Sequence, residues 1–257
     1  MHKEEKNPQT TQETRVPATR PAVIHDDDFG ADDFAYGWLR IAAANSEVVQ
    51  DPEKKIEGLV AGMFFDSLSR EVLGTEVKLT VLKFFRSYAE HEPGENGQFI
   101  RQIPAEEWEA MAPKREGRGY TLANGNQGRE QLNYMVALAD RPDLGILRMG
   151  VGPGGFASAK VWNTLIQSKG IPKHLQVWTI RSVFNAAKDK TKSAFFAIGR
   201  GSAFAGSYAG PVSADQAEAI GYMVETLAAM SGRLEAGGHE SGDAAADSAA
   251  QYGTEAL

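Results

Sequence analysis

Two strand-like segments of this chain interleave cations with aromatic rings. The run from Glu76 to Tyr88 carries Lys78, Lys83, Phe84, Phe85, Arg86 and Tyr88, and Val177 to Phe184 carries Trp178, Arg181 and Phe184. A lysine-rich turn follows with Lys188, Lys190 and Lys192, and a return run adds Phe195, Phe196 and Arg200. Cations that track phosphates, and flat rings on which bases stack at about 1 to 3 kcal/mol each, are what sequence-independent binding of single-stranded nucleic acid requires. Part of the pattern is simple core. Alternation puts Trp178, Ile180, Ser182 and Phe184 on one face of their strand, which reads as the buried one, and Val177, Thr179, Arg181 and Val183 on the other. Arg181, the lysine turn and Arg200 have no such explanation. The residues expected to meet phosphate are therefore Lys78, Lys83, Arg86, Arg181, Lys188, Lys190, Lys192 and Arg200, and the rings expected to stack on bases are Phe85, Tyr88 and Phe196.

Other chemistries fit less well. With no cysteine there is no thiol nucleophile, disulfide or thiolate metal site. The five histidines, His2, His25, His91, His174 and His239, never fall at the i, i+3 or i, i+4 spacing that sets two ligands on one helix face. Asp26-Asp27-Asp28 with Asp32-Asp33 lacks the spacing of a calcium loop and reads as a solvated acidic arm. Gly150-Val151-Gly152-Pro153-Gly154-Gly155 invites a phosphate cradle, but Ala159 stands where the second glycine belongs and Val161 where the hydroxyl belongs, so it reads as a flexible linker into a helix. No nucleophile elbow, zinc-protease pair or dinucleotide fingerprint is present. Neither enzymatic activity nor a cofactor is expected. The scattered carboxylates leave a metal-dependent nuclease as one rival reading, and the acidic ends leave a virion or scaffold protein as another.

The net charge of -7 hides a segregation. Residues 1–33 hold four basic and eight acidic side chains, and residues 212–257 hold Arg233 against eight acidic ones. Within the middle, residues 156–211 hold eight basic side chains against Asp189 alone. The first 33 residues, rich in Thr, Gln, Pro and charge, are expected to be a disordered acidic arm, and 237–257, rich in Gly, Ala, Ser and acid, a flexible acidic tail. Between them, 34–236 is expected to form one domain. No apolar run reaches a membrane span, and MHKEEKNPQTTQETR lacks a signal-peptide core, so no membrane partner is expected.

The elements that position the cations follow from periodicity. Phe34 to Ala43 reads as a short extended or helical segment anchored by Trp38, and Gly58 to Ser87 as a strand, a turn at Asp66 to Arg70 and a strand from Glu76 to Arg86. Residues 91–130 read as loop-rich, with a strand over Gln131 to Ala139, and Ala157 to Ser168 as a helix stopped by Gly170 and Pro172. Gln176 to Ala186 and Ser193 to Ile198 read as a hairpin. Ser213 and Gln216 form a capping box before an amphipathic closing helix, 212–236, with Ile220, Met223, Val224 and Leu227 on one face. The fold class is α+β: an antiparallel, mainly β, OB-like barrel with two or three helices, whose closure would remove exposed strand edges.

Three stretches resemble a family of bacteriophage single-stranded DNA-binding proteins from replication and recombination modules. They are Gly62-Met63-Phe64-Phe65-Asp66-Ser67-Leu68-Ser69-Arg70-Glu71-Val72-Leu73-Gly74, then Glu76 to Ser87, then Trp162 to Ile198, together spanning most of 34–200. The resemblance implies an OB-like barrel that coats unwound DNA without sequence preference in the cytoplasm of the infected host, beside a polymerase or an annealing recombinase. The acidic tail would then recruit those replication or recombination partners or gate the groove, and self-association would be compatible with the role. Many relatives carry cysteines in the middle region, where a metal could sit; this chain has none, so 91–130 is expected to be built differently and the resemblance implies no metal here.

Overall fold

The computed structural model describes residues 36–44, 46–94, 97–117, 119–152, 155–183, 195–198 and 203–229. The arm 1–33, the tail 237–257, Lys188, Lys190, Lys192 and Arg200 lie outside the described residues, as does Phe184. The strands are β1 (Gly37–Ile41), β2 (Phe64–Asp66), β3 (Val72–Gly74), β4 (Glu76–His91), β5 (Phe99–Ile103), β6 (Lys114–Glu116), β7 (Gly119–Thr121), β8 (Gln127–Leu138), β9 (Ile146–Val151), β10 (Gln176–Val183), β11 (Phe195–Ile198) and β12 (Ala203–Pro211). The helices are α1 (Glu47–Gln50), α2 (Ala105–Ala110), α3 (Phe156–Ser168) and α4 (Ala214–Ala229).

All of these strands join one sheet in the order β11-β12-β10-β4-β8-β9-β1-β2-β3, with β5 added to β4 and the β6–β7 hairpin added to β8. The long strand β4 organises it. Its first residues pair with β10, its last with β5, and its opposite edge follows β8 from Leu79 to His91. A bulge interrupts that last ladder: Val81 faces Val136 and Lys83 faces Met135, leaving Leu82 as the extra residue. A bulge bends a strand and shifts its alternation by one. Val77, Leu79, Val81 and Phe84 therefore point to one side of the sheet, and Leu82, Lys83 and Phe85 to the other.

The first side holds the main core. Trp162, Ala159 and Ile166 of α3 pack on Leu79, Val81, Tyr134, Val136, Leu147, Trp178 and Ile180. The amide of buried Gln176 donates to the Ile166 and Ile171 carbonyls and ties the end of α3 to β10. On the second side, Ile220 and Leu227 of α4 cover Leu82, Phe85, Met135 and Ala137. Half of the expected capping box at the start of α4 is made: Ser213 N and Oγ both donate to the Gln216 side-chain oxygen, whereas Gln216 N donates to the Ser213 carbonyl, and the Gln216 side-chain amide donates to the Ala139 carbonyl at 2.6 Å.

Mixed α+β architecture is thus established, with several corrections to the sequence reading. The run from Gly58 to Met63 is turn rather than strand, because Gly58 and Gly62 take φ of 75° and 89°, which no strand residue adopts. The stretch 91–130 is not mostly loop: β5, α2, β6, β7 and the start of β8 fold around a satellite core of Ile103, Trp108 and Leu122. The glycine run from Gly150 begins inside β9, paired to β8, instead of forming a linker throughout. β10 and β11 do not form a hairpin, since β12 lies between them and pairs with both. Not every pair is antiparallel, because β1 runs parallel to β9. Among the described residues the path stays open, β11 at one end and β3 at the other, so the expected closure of the sheet is not made by hydrogen bonds.

Candidate nucleic-acid interface

The residues singled out from the sequence fall on both sides of the sheet. Lys78, Lys83 and Phe85 share the α4 side, and Arg181 joins them, since it faces Glu76 across the β4–β10 ladder while Thr179 faces Lys78. Lys78 is exposed and paired with Asp140 at 3.5 Å. Phe85 is a correction: at 8% exposure it is a core ring beneath α4, because the bulge at Leu82 turns it onto that side, and no open base platform results. Arg86 and Tyr88 lie on the other side. Arg86 pairs with the buried Glu130 at 2.8 Å, and Tyr88 stacks on Trp108 with ring centroids 4.4 Å apart, so neither stands beside Lys83 as expected. Phe196 sits in β11 at the sheet edge, opposite Ala205.

A different set of residues assembles next to Lys83. Past the rows that α4 covers, the same side of the sheet carries Ser87, Asn133, Gln131, Arg148 and Trp38. The Arg148 guanidinium lies 4.3 Å from the Trp38 ring centroid and 5.5 Å from that of Phe85. Arg40 lies 5.7 Å from the same Trp38 ring, and the Lys83 ammonium 5.9 Å from Phe85. Cations over ring faces at these separations are held by the ring quadrupole, worth about 0.5 to 1 kcal/mol each at exposed sites. Asn133, fully buried, accepts a hydrogen bond from Arg148 Nε at 3.0 Å and donates to Ser87 Oγ at 2.8 Å, which fixes the guanidinium plane. The positive character extends toward α4: burial and the nearby Lys83 ammonium hold Lys173 below the usual lysine range.

Local sequence explains why these residues converge. Trp38 and Arg148 are direct partners in the parallel β1–β9 ladder, so their side chains must share a side. β1 is pinned by the Asp66 turn. The buried Asp66 carboxylate accepts from Leu68 N, Ser69 N and Ser69 Oγ, and the hydroxyl of Ser67 accepts from Trp38 N at 2.9 Å. Gly150, in the next row of β9, leaves room for the neighbours of this cluster, because a Cβ there would collide with Gln131 and press on the Trp38 ring.

Sequence reasoning missed Trp38, Arg40 and Arg148 as a group. A signal was present in Ile146 to Val151, where Leu147, Met149 and Val151 alternate with Ile146, Arg148 and Gly150, the pattern of a half-buried strand. Among the described residues no three His, Asp or Glu side chains converge in a way that would hold a metal ion, and no helix is long and apolar enough to cross a membrane.

A family model described as Pam3 phage gp34-like protein matches residues 9–199. No curated protein and no solved structure matches the chain.

Proposed function

The chain belongs to the Pam3 phage gp34-like protein family, and we propose that within phage infection it binds single-stranded DNA without sequence preference. The observation that carries this reading is the Trp38–Arg148 pair at 4.3 Å, flanked by Arg40 and by Lys83 over Phe85. An indole held under a guanidinium offers one flat surface for a base, and three cations within one patch can track successive phosphates. Arg148 is fixed by Asn133 before any ligand arrives, which lowers the ordering entropy that binding must offset. In this reading β4, shared between β10 and β5 and bent at its bulge, is the long curled strand of an OB-like half-barrel. The acidic tail contacts replication or recombination proteins, and the site of action is the host cytoplasm.

A gel-shift and degradation assay with labelled single-stranded and duplex oligonucleotides at two salt concentrations, with and without magnesium or manganese, tests the proposal. Retention of the single strand over the duplex, weakening with salt and independent of sequence, is the expected result. Stable self-association with no strand preference would instead favour a virion or scaffold role, and metal-dependent loss of the oligonucleotide a nuclease.

A further inference from the structure

At the end of the sheet where β4 meets β5, the arginines on the α3 side are matched to acids. Arg86 pairs with the buried Glu130 at 2.8 Å, and Arg101 with Glu90 at 2.9 Å and Glu107 at 2.8 Å. Arg129 is different. It lies on the α4 side, because β8 alternates without interruption from Ala137 and Met135, which α4 covers, through Asn133 and Gln131 to Arg129. It is half-buried, yet among the described residues no carboxylate pairs with it and no acceptor takes its hydrogen bonds. Burial holds its guanidinium below the usual arginine range, with no acid opposing the effect. A partly desolvated cation without a counter-charge costs stability, and an anion that arrives there offsets the cost. Glu116, the acid of β6 that shares this side, is engaged elsewhere, since its carboxylate accepts from Thr121 Oγ1 at 2.7 Å.

The ground between Arg129 and the Trp38–Arg148 pair is suited to an extended ligand. Asn133, Gln131 and Arg129 make a polar row along β8, and the residues across from them are small: Gly150 opposite Asn133, Ser87 opposite Gln131 and Ala89 opposite Arg129. From Ser87 and Gln131 outward, no residue of these rows belongs to an apolar cluster of the described fold. We propose that Arg129 is a second phosphate anchor for the same single strand, which runs from the Trp38–Arg148 pair along the β4–β8 ladder over Gln131 and Ala89. The proposal rests on the single-strand reading and deepens it by fixing the course that the strand takes across the sheet. Arg148 stands opposite Met135, six residues along β8 from Arg129, which at about 3.4 Å per residue separates the two guanidinium positions by about 20 Å. At about 3.4 Å per stacked nucleotide that distance takes about six nucleotides, fewer when the bases are drawn apart, within the roughly 4 to 16 that one OB-like domain covers.

The test compares the full chain as wild type, Arg129→Gln and Arg129→Lys, using fluorescence anisotropy of labelled oligothymidylates about 3 and about 12 nucleotides long. Losing one phosphate contact takes about 0.7 off the slope of log affinity against log salt. On the longer strand the advantage of wild type over Arg129→Gln should therefore shrink about 2.6-fold between about 50 and 200 mM salt, while Arg129→Lys, which keeps the charge, retains the wild-type slope. The shorter strand, about 10 Å long when stacked, does not span both anchors and should bind wild type and Arg129→Gln alike. Thermal melts of Arg129→Gln should lie at or above those of wild type, because the fold draws no support from an unpaired cation. A wild-type slope for Arg129→Gln on the longer strand would overturn the inference and leave the proposed function standing. Equal losses on both strands with a lowered Tm would make Arg129 a support of the fold and overturn it as well. Failure of wild type to bind either strand would refute the proposed function and this inference with it.

Discussion

Replacing Arg40, Lys83 and Arg148 together with glutamine removes the three cations grouped around Trp38 and Phe85 while leaving a neutral polar side chain at each position. Each phosphate contact to a single strand contributes about -0.7 to the slope of log affinity against log salt, so three contacts contribute about -2.1. Between 50 and 200 mM salt those contacts alone account for a loss of about 20-fold in affinity, which the triple variant should not show. Fluorescence anisotropy of a labelled oligothymidylate across that salt range is a suitable assay. Arg86→Gln provides the control: it sits on the opposite side of the sheet in a pair with Glu130, and its change should leave the slope where it was. A triple variant with the wild-type slope, or an Arg86 variant that flattens it, would refute the placement of the interface on the α4 side.

Three further expectations concern the scaffold. Glu90, 4% exposed, accepts from Asn124, Asn126 and Arg101 at 2.6 to 2.9 Å, and those hydrogen bonds outweigh burial and hold its carboxyl below the usual range; Glu90→Gln should cost about 2 to 3 kcal/mol in urea denaturation by setting an amide donor against a donor. Burial, reinforced by the Arg129 guanidinium, pushes the His91 imidazole down to about 4 from 6.5, so the unfolded chain takes up the proton first as pH falls. Stability is therefore full above about pH 6.5 and declines toward pH 4 by up to about 3 kcal/mol, and His91→Gln should flatten that part of the profile measured by thermal melts. Gly150→Ala should destabilise the fold by about 1 to 3 kcal/mol and weaken oligonucleotide binding together, because the added methyl meets both Gln131 and Trp38; loss of stability with unchanged binding would separate the two.

The parts of the fold legible in the sequence are those with strong local signals. α3 and α4 carry amphipathic periodicity with a glycine stop or a capping box, and β4 and β10 alternate cleanly at their starts. What was not legible depends on contacts distant in sequence. The extra residue at Leu82 declares itself only through pairing with Val136 and Met135, and it sends Phe85 inward and Arg86 outward on the far side. The satellite core around Trp108 draws on elements of three to six residues, β5, α2 and the β6–β7 hairpin, too short to show a period. β12, with the sequence AFAGSYAGP, has too few large apolar residues to stand out, yet its backbone pairs with β10 along one edge and β11 along the other. The candidate site follows the same division: a basic, aromatic character was visible, whereas the meeting of Trp38 with Arg148 required the parallel ladder between strands more than a hundred residues apart.

The strand order also dictates a timetable during synthesis. β11 leaves the ribosome before β12, but its only hydrogen-bonded neighbour among the described strands is β12. It must therefore wait, unpaired, until residues 203–211 have emerged and zipped onto β10. A nascent chain stalled just after Ile198 presents the bare outer edge of β10 and a β11 segment whose backbone has no strand to pair with, the stage at which host chaperones or a second nascent copy would find it most readily.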